Sequence, residues 1–196
     1  MVCNTMNIFA LSSDPFESAQ MMCDKHVVKM IVETAQLLST AHRVLDGESY
    51  TDKTSNGRNI QRWRLTSSAH TYDMEAQLYK ATHVNHPSAV WARESSSNYI
   101  WLFSHFEGLC DEYTQRYNKI HLTDEKLRSI LSYIPVNISR GNLTSMPQAM
   151  PDKYKSSHYV DAYRRYYVGE KASFAKWTKR SVPEWFTDST YKFLHV

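Results

Sequence analysis

From Phe16 to Val44 apolar residues return every three or four positions, with one two-turn step of seven: Phe16, Ala19, Cys23, Val27, Met30, Leu37, Ala41 and Val44. A strand needs a period of two, so this rhythm commits the segment to a helix with a buried face. Asp14-Pro15-Phe16-Glu17 supplies its start: an Asp able to cap, a Pro at the first helical position, and a Glu at the third. Asp46-Gly47 supplies its end, where glycine can close a helix. Glycine is scarce elsewhere, 5 in 196 residues, and clean alternating runs are few, so helices are expected throughout.

A loop with an Asn56-Gly57 turn is expected over 47–60, and a second helix over 66–81, burying Ala69, Tyr72, Leu78 and Tyr79. Pro87 opens a long third helix to about 118. Thr123-Asp124-Glu125 starts a fourth, which ends before Pro135. An irregular loop follows over 135–156, then a fifth helix over 157–177 and a tail from Ser181. A loop of that length inside a compact domain is often functional. The predicted fold is all-α: a single compact domain of about five helices over 1–196, with a long irregular loop and an extended C-terminal tail.

Cys3, Cys23 and Cys110 are odd in number, widely spaced and form no CxxC pair, which points to free thiols in a reducing cytoplasm. No apolar run reaches membrane-spanning length and no signal pattern opens the chain, so no membrane partner is expected. A net charge of +3 permits an anionic partner without demanding one.

The polar residues of the first helix keep the same rhythm: Met22, His26, Lys29, Glu33, Gln36, Thr40 and Arg43. An acid, an imidazole and cations on one rod can be a solvated face or a set of positioned chemical groups. A carboxylate such as Glu33 can activate water or stabilise an oxocarbenium-like sugar. His83, Asn85 and His86 form a second group. A His-x-x-His pair can bind zinc, and His42, His70 and His105 are further candidates, but no third ligand stands at a recognised spacing, so no metal is expected. The other reading has the pair touching phosphate or capping the helix opened by Pro87. Two basic-aromatic groups complete the set: Arg58, Arg62, Trp63 and Arg64, then Tyr163 to Arg180 with Arg164, Arg165, Lys171 and Trp177. Cations neutralise phosphates and rings stack on bases, which makes nucleic acid the leading partner. No glycine-rich phosphate loop or dinucleotide fingerprint appears, so no cofactor is expected.

Several segments together resemble a widespread family of small phage proteins: Asn7-Ile8-Phe9, Cys23-Asp24-Lys25-His26-Val27-Val28-Lys29-Met30, His86-Pro87-Ser88-Ala89-Val90-Trp91, Pro147-Gln148-Ala149-Met150-Pro151-Asp152 and Val182-Pro183-Glu184-Trp185-Phe186. That resemblance implies a phage origin and by itself no reaction. Asp24-Lys25-His26 followed by Glu33 is also similar to the pyrimidine-dimer DNA glycosylases of the phage endonuclease V type. This similarity implies a small helical enzyme with Glu33 as the catalytic carboxylate and His26 as a DNA contact. The nucleophile of that family is the α-amine of an N-terminal Thr. Here Thr5 stands inside Met1-Val2-Cys3-Asn4-Thr5-Met6-Asn7, and Val32 and Ala35 replace its paired arginines.

The expected function is that of a phage enzyme acting on DNA bases in the cytoplasm of an infected host. Its most concrete form is an N-glycosylase for damaged or modified bases, with an AP-lyase step as a further possibility. The alternatives are a phage nucleic-acid-binding or host-inhibiting protein without catalysis, and a DNA-base modification enzyme. Glu33 and His26 are the expected catalytic residues. Lys25, Lys29, Arg43, Arg62, His83, His86, Arg93, Arg164 and Arg165 are the expected substrate contacts, with DNA the favoured partner.

Overall fold

The helix that carries the polar stripe proves to be two helices. In the computed structural model, which describes residues 6–66 and 74–188, α1 covers Pro15–Gln20 and α2 covers Asp24–Asp46. The start is as expected, with Asp14 accepting from the Glu17 amide. The break has a tertiary cause. The buried Arg116 guanidinium takes the carbonyls of Gln20 and Met22, so those oxygens are not needed in a continuous helix. Asp24 restarts it and is held by Arg116, by the Thr178 amide and hydroxyl, and by its own amide bond to the Lys176 carbonyl.

Eight α-helices and one hairpin are present among the described residues. The hairpin pairs β1 (Glu48–Lys53) with β2 (Asn59–Arg64), with Glu48 opposite Arg64 and Lys53 opposite Asn59. It stands where a loop was expected. Its turn is the expected one, and Gly57 there takes a φ of 80°, a conformation that favours glycine. Of the second predicted helix only α3, Met74–Gln77, lies within the described residues; Ala69, His70 and Tyr72 lie outside them. The long third helix is split into α4 (Pro87–Glu94) and α5 (Ser96–Tyr117). Ser95 at the junction caps α5 by accepting from the Asn98 amide, the usual use of serine at a helix boundary. α6 covers Leu122–Leu131, α7 Tyr159–Lys171 and α8 Glu184–Thr187, with the expected irregular segment between α6 and α7.

α2 runs through the middle of this assembly, packed by α4, α5 and α6. From Thr34 to Arg43 every residue but Gln36 is buried. The stripe is therefore not a solvated face along its length. Lys25 and Lys29 are exposed, Glu33 is half-buried, and His26, Thr40 and Arg43 are inside. The extended segment from Met6 to Leu11 is buried as well. No helix among the described residues is long and apolar enough to cross a membrane.

Candidate active site

The position of Glu33 on α2 places its carboxylate at the edge of the core, with the side chain 14% exposed. One turn earlier, Lys29 reaches it, Nζ to Oε1 at 2.9 Å. The other oxygen, Oε2, accepts from the Asn7 backbone nitrogen at 3.4 Å. Asn7 is buried and locked in place. Its amide group donates to the Ala149 carbonyl at 2.9 Å and its Oδ1 accepts from the Ile8 amide at 2.8 Å. The carboxylate thus lies where the N-terminal extended segment crosses α2, under a loop brought from the far end of the chain.

His86 borders this carboxylate. It caps α4, its Nδ1 accepting from the Ser88 amide at 3.2 Å, which leaves the proton on Nε2. Burial lowers its pKa, and the neighbouring His83 adds to that. The charge of Glu33 opposes both and is close enough to be felt. A carboxylate and an ammonium group thus meet on α2, with the imidazole of His86 within electrostatic reach of the carboxylate. The sequence reading named all three residues, and it quoted the Asn7 and Ala149 segments without connecting them to Glu33.

His26 lies elsewhere. Its ring is packed against Phe9 at 4.6 Å, Tyr167 at 5.0 Å and Phe174 at 5.8 Å, and its Nδ1 is buried without a partner among the described residues. Burial, with help from Lys171 and Lys29, pulls its pKa down to about 3. It is neutral at pH 7, so the expectation of His26 as a proton carrier or phosphate contact gives way to a place in an aromatic core. Lysines rim that core. Lys25 lies 4.9 Å from the Phe174 ring centre, and Lys171 lies 4.8 Å from that of Tyr166. Lys171, at the end of α7, belongs to the second basic-aromatic group of the sequence, and only the tertiary fold brings it to α2.

A stability prediction follows. An unfolded histidine binds its proton near pH 6.5, whereas folded His26 and the equally buried His105 do so only near pH 3 and 4. The unfolded state therefore holds more protons as pH falls below 6.5. Stability is full above that pH and declines below it, by up to about 1.4 kcal/mol per pH unit for each histidine. Urea unfolding between pH 7 and 4.5 is expected to show this slope, and His26→Phe to reduce it. An identical slope in the variant would contradict the assignment.

The remaining expected contacts are dispersed. Arg43 is 3% exposed and bonds the Tyr79, Trp63, Glu75 and Leu78 carbonyls and the Glu75 carboxylate. Its donors are consumed inside the fold, which corrects its expected role as a substrate contact. Arg164 donates to the Leu11 carbonyl and lies over Trp185. It lines a groove of about 710 Å³ in which Arg180 also meets Glu17, Glu184 and Asp188, a mixed-charge surface that includes none of Glu33, Lys29 or His86. Arg165 is half-buried on α7. Arg93 follows His86 on α4 and turns back to the Ala89 carbonyl at 2.7 Å. Arg62 and His83 sit together at the hairpin. Among the described residues no three His, Cys, Asp or Glu side chains group in a way that could hold a metal ion. His42 and His105 are buried in the core.

A family model described as pyrimidine dimer DNA glycosylase matches residues 6–125. No curated protein and no solved structure matches the chain. The matched span holds Asn7, Lys29, Glu33 and His86, and it excludes Ala149 and Lys171.

Proposed function

From the premise that this chain belongs to the pyrimidine dimer DNA glycosylase family, we propose that it is a phage DNA N-glycosylase in which Glu33 is the catalytic carboxylate. The observation that carries this reading is the setting of Glu33. It is a half-buried carboxylate held by Lys29 and the Asn7 amide, beside a neutral His86. As the C1′–N bond of the target nucleotide breaks, the departing base takes the bonding pair and receives the proton that Glu33 removes from water. Glu33 stabilises the positive sugar and accepts a proton from the water that adds to C1′. In this reading His86 Nε2–H donates to the base or a phosphate, and Lys25 and Lys29 neutralise the backbone. Abasic-site formation in duplexes carrying pyrimidine dimers or modified pyrimidines tests this reading, because a dimer cut at one N–C1′ bond stays tethered through its other nucleotide. No abasic site in any such duplex would remove it.

Binding itself is expected to depend on salt. The exposed lysines displace counterions, so log affinity should fall linearly against log salt, with a slope of about −0.9 for each phosphate neutralised. Fluorescence anisotropy between 50 and 200 mM salt measures this. A flat line would remove phosphate contacts from the account.

A specific observation favours an added lyase step. The nitrogen 3.4 Å from Glu33 Oε2 belongs to Asn7. As a peptide nitrogen it is no nucleophile, but a chain processed to begin at Asn7 would present an α-amine there. That amine would attack C1′, form an imine as the sugar ring opens, and permit elimination of the 3′ phosphate. Borohydride trapping of enzyme on DNA should yield a covalent adduct from a chain starting at Asn7 and none from the chain starting at Met1. Equal trapping by both would point to another amine.

A further inference from the structure

The hairpin and the segment before His86 enclose a groove of about 380 Å³ that the proposed chemistry does not use. Its ionisable lining groups are Arg62, Lys80 and His83, and Trp63 adds an aromatic wall; no carboxylate is among the lining residues. Arg62 lines the groove, and its Nε is buried with no hydrogen-bond partner among the described residues. A buried guanidinium donor without an acceptor costs free energy until an acceptor arrives, and in a cavity whose ionisable lining groups are all basic an anion is the favoured acceptor.

Both walls are fixed to the helix that carries Glu33. Arg43 donates to the Trp63 carbonyl at 3.2 Å, and the Thr82 amide donates to Thr40 Oγ1 at 3.2 Å. Next in the chain, His83 is held at a φ of 49°, an uncommon conformation for a residue with a side chain, with its Nδ1 bonded to Thr82 Oγ1 at 2.8 Å. Its carbonyl accepts from the His86 amide at 2.8 Å, so the groove runs directly into the His86 cap. Thr40 and Arg43 are seven and ten residues beyond Glu33, about 10–15 Å along the helix at 1.5 Å per residue. At 3.4 Å per base step of one strand, that offset is about three to four steps of DNA.

We propose that this groove is a second DNA-backbone subsite, in which Arg62, Lys80 and His83 take a phosphodiester about three to four steps from the nucleotide engaged at Glu33. The proposal rests on the DNA-glycosylase reading for the register of the two sites, while the groove's affinity for DNA can be measured without any reaction. Lys80 is exposed, so Lys80→Ala leaves the fold intact; Arg62→Lys keeps the charge and removes the fork of donors.

The test is binding of undamaged and dimer-containing duplexes across a salt series, with abasic-site formation measured at saturating enzyme. Lys80→Ala is expected to weaken binding to both duplexes about tenfold at low salt and to reduce the salt slope by about one. Abasic-site formation at saturation should stay at the wild-type rate. Duplexes trimmed to two base pairs beyond the lesion on either side should bind both proteins equally. If the wild type forms no abasic site but the Lys80→Ala binding defect persists, the Glu33 reading fails and the groove stands. Unchanged affinity and salt slope in both Lys80→Ala and Arg62→Lys would overturn the proposal. So would a loss of inorganic phosphate or nucleoside monophosphate binding with DNA affinity unaffected, since the groove would then serve a small anion.

Discussion

Replacing Glu33 by Gln is expected to lower abasic-site formation at saturating DNA by roughly two to four orders of magnitude. Gln keeps the shape of the side chain and can still accept from the Asn7 amide, but it cannot carry the charge that opposes a positive sugar or take a proton from water. The fold should survive. The interaction lost is one ion pair with a Lys29 that is itself half exposed, and such pairs are worth about 1 kcal/mol or less. Single-turnover abasic-site formation, read beside a urea melt, separates the two effects. Wild-type turnover in the variant would exclude Glu33 from the chemistry, and a collapsed melt would make it a structural residue.

The largest effect on stability is expected at Arg43. Its guanidinium joins α2 to the end of β2 and to α3 through four backbone carbonyls and one carboxylate. Arg43→Met leaves those carbonyls without their charged donor in a buried place. A broken buried charge network costs about 3–5 kcal/mol, and the half-exposed Glu75 carboxylate puts this one near the lower figure. Urea unfolding should show the loss with an unchanged m-value. A large fall in DNA affinity at full stability would restore Arg43 to the binding surface.

What the sequence disclosed follows the range over which each cause acts. The start of α1, the Pro87 opening and the Asn56-Gly57 turn are set by neighbours in the chain, and all were legible. The hairpin was not, because Glu48-Ser49-Tyr50-Thr51-Asp52-Lys53 lacks an alternating apolar face and its strands are held by their mutual backbone bonds. The breaks at Met22 and Ser95 escaped periodicity because apolar rhythm continues across both. Arg116, reached across 94 residues, decides the first. Lys29 and Glu33 were legible as a site because they share a helix face. Asn7 and Ala149 were not, being joined across 142 residues. His26 was misread for the same reason: the rings that bury it come from Phe9 and from α7 and the residues just after it.

The bond between Asn7 and Ala149 also sets an order of events during synthesis. The carboxylate and the residues of its own helix leave the ribosome early, yet the Asn7 segment is clamped only when residues near 149 emerge. Tyr167, which accommodates the Cys23 amide, and Lys176, which receives that of Asp24, come later still. Chains grow at about 5–20 residues per second, so the site-bearing half waits some seconds for its closing partners. Ile8, Phe9 and Leu11 reach their full burial only when those later segments have docked. The protein's activity should appear only on release of the finished polypeptide, in step with the last third of the chain and not with the segment that holds Glu33.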